Sequence, residues 1–255
     1  MSDIELRKRS ATEIVDAAFQ LYRRHALVYI MVTALFYAPW LVVTLIFFRS
    51  LSTPGTAPNF GFGRLALFWF GSLITFTLMS GVLTKVSADA YMNGEPGRIE
   101  DAIKAVLPRV PALILSAIGK YLLITLGFML VIVPGVIFFL VYVATTAVIV
   151  LEGKGVTEAF GRSAQLTRDQ KGHVFGTYLL ISAIYILLLI GVMVLTPFLA
   201  FSVVIPQVVQ TVFVILFYPI FGISEMLIYY DLRVRNEGYD VEMLAGSLGE
   251  RPVVG

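Results

Sequence analysis

Apolar residues fill six long segments of this chain, near 26–48, 65–92, 110–131, 134–151, 174–197 and 203–230. A helix needs about 20 residues to cross ~30 Å of hydrocarbon, so each segment is read as one membrane span. The third and fourth are separated only by "VIVPG". One helix from Pro111 to Leu151 would be ~60 Å long, twice the hydrocarbon thickness. The break is placed at Pro134-Gly135, with Pro134 in the first turn of a new helix, which makes the pair a tight hairpin. The first apolar run, Ala26 to Phe48, is too long for the core of a secretory signal, and the N-terminus is read as retained.

Polar positions between the spans alternate in charge. Arg7, Lys8, Arg9, Arg23 and Arg24 precede the first span, and Arg98, Lys104 and Arg109 lie between the second and third. Lys154, Arg162, Arg168 and Lys171 lie between the fourth and fifth, and Arg233, Arg235 and Arg251 follow the sixth. The opposite connections hold Arg49 and Arg64. The positive-inside rule then places both termini in the cytoplasm of a multi-pass protein. The outer connections are short and rich in proline, "LSTPGTAPNFGFG" being the longest, and leave little protein outside.

Three of the cytoplasmic segments look alike: "SATEIVDAAFQLYRRH", "GRIEDAIKAVLPRV" and "GVTEAFGRSAQLTRDQ". Each opens with Ser or Gly and carries Glu three residues later: Ser10 and Glu13, Gly97 and Glu100, Gly155 and Glu158. Ser10 with Glu13 has the spacing of a capping box, and an acid in the first turn suits the helix dipole. In the first segment Ile14, Ala18 and Leu21 share a face opposite Glu13, Asp16, Gln20 and Arg24. Glu100 with Lys104 and Glu158 with Arg162 have the favourable i,i+4 order. These segments are read as short amphipathic cytoplasmic helices over about 10–24, 97–108 and 155–169. Arg23, Arg24, Arg109, Arg162 and Arg168 serve as interfacial anchors facing anionic headgroups. Each helix precedes two spans, a candidate threefold repeat of helix plus hairpin. The competing explanation is that any membrane protein carries capped, charged helices at its cytoplasmic edge. Likewise the helices are either an interfacial collar or a docking surface for a cytoplasmic partner.

Composition narrows the functional classes. Hydrophobic residues make up 58% of the 255 and charged residues 14%, whereas soluble domains are nearer ~25% charged. The net charge of +2 gives no field for nucleic acid. The chain has no cysteine, which excludes disulfides and thiolate metal sites. His25 and His173 are far apart with no carboxylate at ligand spacing, so no metal site and no cofactor are expected. Phosphate-binding glycine loops, a Gly-x-Ser-x-Gly elbow and a zinc-binding His-Glu-x-x-His are all missing.

The informative polar residues lie inside the spans. Lys120 is ~15 Å into the third span if that span begins near Val110. Glu225 lies ~8 Å from the cytoplasmic end of the last. Lys85 and Asp89 are one turn apart near the cytoplasmic end of the second. The four form a candidate intramembrane polar cluster. Either Lys120 reaches Glu225 or Asp89 and ties three spans together, or the group lines a polar cavity open to the cytoplasm. Pro39, Pro197, Pro206 and Pro219 interrupt apolar runs and are expected to kink helices. "GHVFG" (Gly172 to Gly176) permits close helix approach, and Tyr229-Tyr230 suits the aromatic belt at the interface.

Three stretches taken together, "SATEIVDAAFQLYRRHALVYI", "VLEGKGVTEAFGRSAQLTRDQKGHVFGTYLL" and "IYYDLRVRNEGYDVEML", resemble one bacterial family. It is the membrane domain attached to some glycerophosphoryl diester phosphodiesterases, together with its stand-alone relatives. The resemblance implies a helical module in the cytoplasmic (inner) membrane. The family's phosphodiesterase activity belongs to a separate barrel domain with a histidine- and carboxylate-rich metal site, and no catalytic residue carries over to this sequence.

The expectation is an all-α polytopic membrane protein with a single six-span domain over 1–232 and a cytoplasmic tail over 233–255. Its expected role is that of a non-enzymatic module that scaffolds or regulates a membrane complex, in contact with lipids and with another membrane or cytoplasmic protein. The alternative is a transporter or lipid-handling protein with a cytoplasm-facing polar cavity near Lys120.

Overall fold

The computed structural model describes residues 7–51, 61–199 and 204–239. The loop over 52–60, the stretch 200–203, the side chain of Arg49, and Arg251 with the rest of the tail from 240 lie outside the described residues.

The described chain is helical throughout, and six of its helices are long and apolar enough to cross a membrane. It is therefore a multi-pass helical membrane protein, as the apolar segments predict. Helix α1 (Ala11–Arg24) leads through His25 into α2 (Ala26–Leu51), the first span. Helix α3 (Phe62–Asn93) is the second. Helix α4 (Ile99–Val106) and a tight turn, Leu107–Arg109, feed α5 (Val110–Leu130), the third. The fourth begins as α6 (Ile132–Val141), breaks, and resumes as α7 (Thr145–Ala147) and a wider π-type turn, Val148–Glu152. Helix α8 (Val156–Thr167) precedes α9 (Lys171–Leu199), the fifth, and α10 (Val204–Glu237) is the sixth.

Helices α3, α5, α6, α9 and α10 close a ring in which each packs on the next, and α2 sits outside against α3 and α10. Helices α1, α4 and α8 gather at one end of the bundle, called here the capped end. The other end, where α2 meets α3, α5 meets α6 and α9 meets α10, is the loop end.

Local chemistry explains most boundaries. Ser10 Oγ accepts from the Glu13 amide at 3.3 Å and the Glu13 carboxylate accepts from the Ser10 amide at 2.7 Å, a complete capping box. The hairpin between α5 and α6 turns at Val131 in extended conformation, just before Pro134, which falls in the first turn of α6. Its tightness depends on two glycines. A Cβ on Gly127 would stand 2.7 Å from the Gly135 nitrogen, and one on Gly135 would stand 2.5 Å from the Phe128 ring.

Several expectations are corrected. Helix α4 is capped by Arg98, because Gly97 adopts a positive φ of 66° and stands outside the helix. Pro206 lies in the first turn of α10, where a missing N–H costs nothing, so it does not kink a span; Pro39, Pro197 and Pro219 do lie inside helices. Helix α10 continues past the expected boundary at 232 to Glu237. Asp231–Arg235 and Arg233–Glu237 pair at i,i+4, and Gly238, with φ 64°, ends the helix. The stretch "GHVFG" is not a close approach: a Cβ on Gly172 would meet open space, and one on Gly176 would only touch Ala11 at 4.0 Å.

The break in the fourth span was not legible in its apolar sequence. Ser163 of α8 enters it. Its hydroxyl accepts from the Ala144 amide at 3.2 Å and donates to the Val141 carbonyl at 2.7 Å. A side chain thereby satisfies backbone groups that the helix leaves free, the condition for irregular backbone at membrane depth. Helix α1 also packs on protein: Ile14, Ala18 and Leu21 are buried against α9 and α10. Burying Ile14 and Leu21 contributes about 1.5–3 kcal/mol each.

Candidate functional site

A cavity of about 400 Å³ lies within the ring of α3, α5, α6, α9 and α10. Lys120 on α5 and Glu225 on α10 both line it, and these two helices do not pack directly on each other. Their charges are farther apart than the 4.0 Å of an ion pair, so they face one another across the cavity. Ser80 and Thr146 stand beside the Glu225 carboxyl group, and the Lys120 ammonium is the cation acting on it. Tyr178 and Tyr218 flank the same carboxylate. Glu225 lies deep in the bundle yet keeps accessible surface, because the surface it presents is the cavity wall.

Helical spacing delivers these groups. Thr77 and Ser80, Ser116 and Lys120, Tyr178 and Ser182, and Tyr218 with Phe221 and Glu225 recur at three or four residues and so point to one side of each helix. Among the described residues, the side chains of Lys120, Tyr178, Tyr218 and Ser182 make no hydrogen bond within the protein. All four stay partly accessible and line the cavity, so their polar atoms are free to meet its contents. This interior is therefore built to hold polar matter.

A second cavity, about 820 Å³, adjoins the first toward the loop end between α2, α3, α5 and α10. Phe76 and Tyr121 belong to both walls, so the two spaces meet at those rings. Its wall is mainly aromatic, with Trp40 packed on Phe68 at 5.3 Å between centroids, and Gln207 and Gln210 supply polar groups near the start of α10. Gly71 makes room for the indole: a Cβ there would meet the Trp40 ring at 2.5 Å. Both volumes fall in the range of small-molecule sites, ~300–1,000 Å³.

Toward the capped end the interior is closed. Met79, Leu83, Val86, Ile223 and Met226 pack there with almost no accessible surface. On its α3 and α10 walls the cavity therefore stops short of the capped end.

The four residues of the expected cluster separate into two groups. Lys85 pairs with Asp89 at 2.6 Å, one turn along the same helix, and neither lines the cavity. Lys120 pairs with neither Asp89 nor Glu225.

The expected anchors also divide. Arg23, Arg24 and Arg168 are exposed, and Arg109 is half-buried with its guanidinium beside Gly153. Arg162 is no headgroup anchor, and its i,i+4 partner Glu158 is not the one it takes. Its guanidinium pairs with Glu152 at 3.2 Å and with Glu237. The Glu237 hydrogen bond, ahead of the Glu152 contact, pushes the Arg162 guanidinium above its ordinary value. Glu100 likewise takes Arg98, at 3.4 Å, in place of Lys104.

Sequence reasoning missed the centres of this capped-end network. Glu152 also accepts from the Tyr229 hydroxyl at 2.9 Å. Asp231, nearly inaccessible, accepts from the Arg9 amide at 2.7 Å and from Arg235 at 2.6 Å, and meets His173 at 2.9 Å. Tyr229 and Tyr230 are core residues at 1% and 7% exposure, not members of an interfacial belt. The missed cavity residues had a readable signal, since polar side chains at i,i+3 or i,i+4 within apolar spans mark an inward stripe. The network had only a weak one, the i,i+4 charges of "DLRVRNE".

Among the described residues no three His, Cys, Asp or Glu side chains cluster as metal ligands. No protein-family model, no curated protein and no solved structure matches the chain.

Proposed function

We propose that this protein takes an amphipathic ligand into its membrane-embedded interior and handles or transports it, without catalysing a reaction on it. The observation that carries this reading is the polar cavity with Lys120 and Glu225 on facing walls, continued by an aromatic cavity of twice the size. A charge held in a membrane is costly and faces a bundle interior or cavity where it has work to do. A scaffold needs no such space, and a dry bundle would serve it better, so the geometry favours ligand handling over the scaffolding role.

The setting we infer is a bacterial cytoplasmic membrane, with both termini and the capped end facing the cytoplasm, as the Lys and Arg distribution supports. On the same footing, the resemblance to the membrane domain of glycerophosphoryl diester phosphodiesterases makes the chain a non-catalytic relative of that module. Membrane lipids are then its immediate partners.

Photocrosslinking tests the reading. A phospholipid carrying a diazirine in its acyl chain is incorporated with the full chain in nanodiscs, and adducts are mapped by mass spectrometry. The expected adducts concentrate at Trp40, Phe76 and Tyr121, and Lys120→Met reduces them several-fold without lowering the melting temperature. Adducts spread evenly over the outer surface of α9, and indifferent to Lys120→Met, would overturn it.

A further inference from the structure

We infer that the ligand is a zwitterionic phospholipid, its phosphate held by Lys120, its ammonium by Glu225, and its acyl chains by the aromatic cavity. This rests on the ligand-handling reading above and adds the chemical class. The cavity walls present one cation and one carboxylate on different helices, too far apart to neutralise each other directly. A ligand with a single negative charge would satisfy Lys120 and be repelled by Glu225. A ligand with a single positive charge would do the reverse. A head carrying both signs satisfies both and enters with no net charge to desolvate.

The surroundings fit that polarity. Tyr178 and Tyr218 line the cavity near Glu225, and aromatic rings beside a carboxylate suit an ammonium. At 400 Å³ the cavity has the volume of roughly a dozen waters at ~30 Å³ each, room for a headgroup but not for a whole lipid. The remainder can continue past Phe76 and Tyr121 into the larger cavity, whose Trp40, Phe68 and Trp69 walls suit acyl chains. That cavity ends among exposed rings, Phe62 and Trp69 among them, at the surface of the loop end. The lipid is thereby held with its head at the level of Lys120 and its chains toward the loop end.

The test uses the full chain in mild detergent and counts bound lipid by native mass spectrometry. The probes are phosphatidylethanolamine and phosphatidylglycerol with identical acyl chains. The native protein is expected to prefer the ethanolamine lipid by at least about tenfold. Glu225→Gln is expected to remove most of that preference by weakening the ethanolamine lipid alone, whereas Lys120→Met weakens both lipids alike. Tyr178→Leu, which changes no charge, is expected to lower ethanolamine-lipid binding in the same direction and covers the case in which Glu225→Gln fails to fold. A preference for phosphatidylglycerol, or a preference unchanged in Glu225→Gln and Tyr178→Leu, would overturn the zwitterionic assignment and leave lipid handling standing. Free phosphoethanolamine binding as tightly as the intact lipid would overturn the role given to the aromatic cavity. If neither lipid is retained and no substitution matters, both the assignment and the reading beneath it fall.

Discussion

The two ends of this bundle share the same membrane-spanning helices and are packed in opposite ways. In α3, every fully buried residue lies between Met79 and Tyr91, and none between Phe62 and Leu78. In α10, burial is nearly continuous from Pro219 to Leu232. At the capped end, charges meet partners: Asp231 with Arg235 and His173, Glu152 with Arg162 and Tyr229. From Lys120 onward the interior opens into two cavities, and there Lys120 and Glu225 form no ion pair with each other. The difference separates two tasks. The capped end supplies stability, and the hollow region supplies a site.

Substitutions should divide along that line. The largest effect is expected from Asp231→Ala, which leaves Arg235 and the Arg9 amide without their shared acceptor. Removing one partner of a buried charge pair costs about 3–5 kcal/mol, read as a large fall in melting temperature. Ser163→Ala comes next. It strips the broken fourth span of the hydroxyl that serves Ala144 and Val141, at about 1–3 kcal/mol. Ser182→Ala in the cavity wall is its control and should change stability by no more than ~0.5 kcal/mol. A comparable loss from both serines would erase the distinction between the regions.

The smallest effect is expected at the start of α1. Hydrogen bonding to the Ser10 amide, then the Arg7 guanidinium, lowers the Glu13 carboxyl from an ordinary 4.5 to about 2. Its folded-state value is depressed, so its contribution is present at and above pH 4.5 and is lost as pH falls toward 2. The melting difference between the native chain and Glu13→Gln should close across that window. A difference that persists unchanged to low pH would assign it to something other than the carboxylate.

What was legible in the sequence follows the same division. Hydropathy reports which segments tolerate lipid, and it located all six spans. The serine and glutamate spacing located the α1 cap. Hydropathy does not report how tightly helices pack: "GSLITFTLMS", in the open half of α3, is the more apolar stretch, yet "GVLTKVSADA" after it, with Lys85 and Asp89, is the packed one. Lys120 and Glu225 stood out because charge inside an apolar run is costly. Their relation did not, since it depends on α5 and α10 standing on opposite sides of a ring. The serine that enters the fourth span and the carboxylates at the capped end act across long sequence separations, which local spacing cannot encode.

The cysteine-free sequence permits a direct test of the central claim, that the region around Lys120 is hollow while the capped end is dry. Ser182→Cys places a thiol in the cavity wall, and Ser224→Cys places one in the fully buried core beside it. Each variant is treated in detergent with a small thiol-reactive methanethiosulfonate, and labelling is followed by intact mass. The account predicts rapid labelling of Ser182→Cys, slowed by bound phospholipid, and no labelling of Ser224→Cys while the protein stays folded. Equal protection of both thiols would mean a closed, dry bundle and would contradict the account.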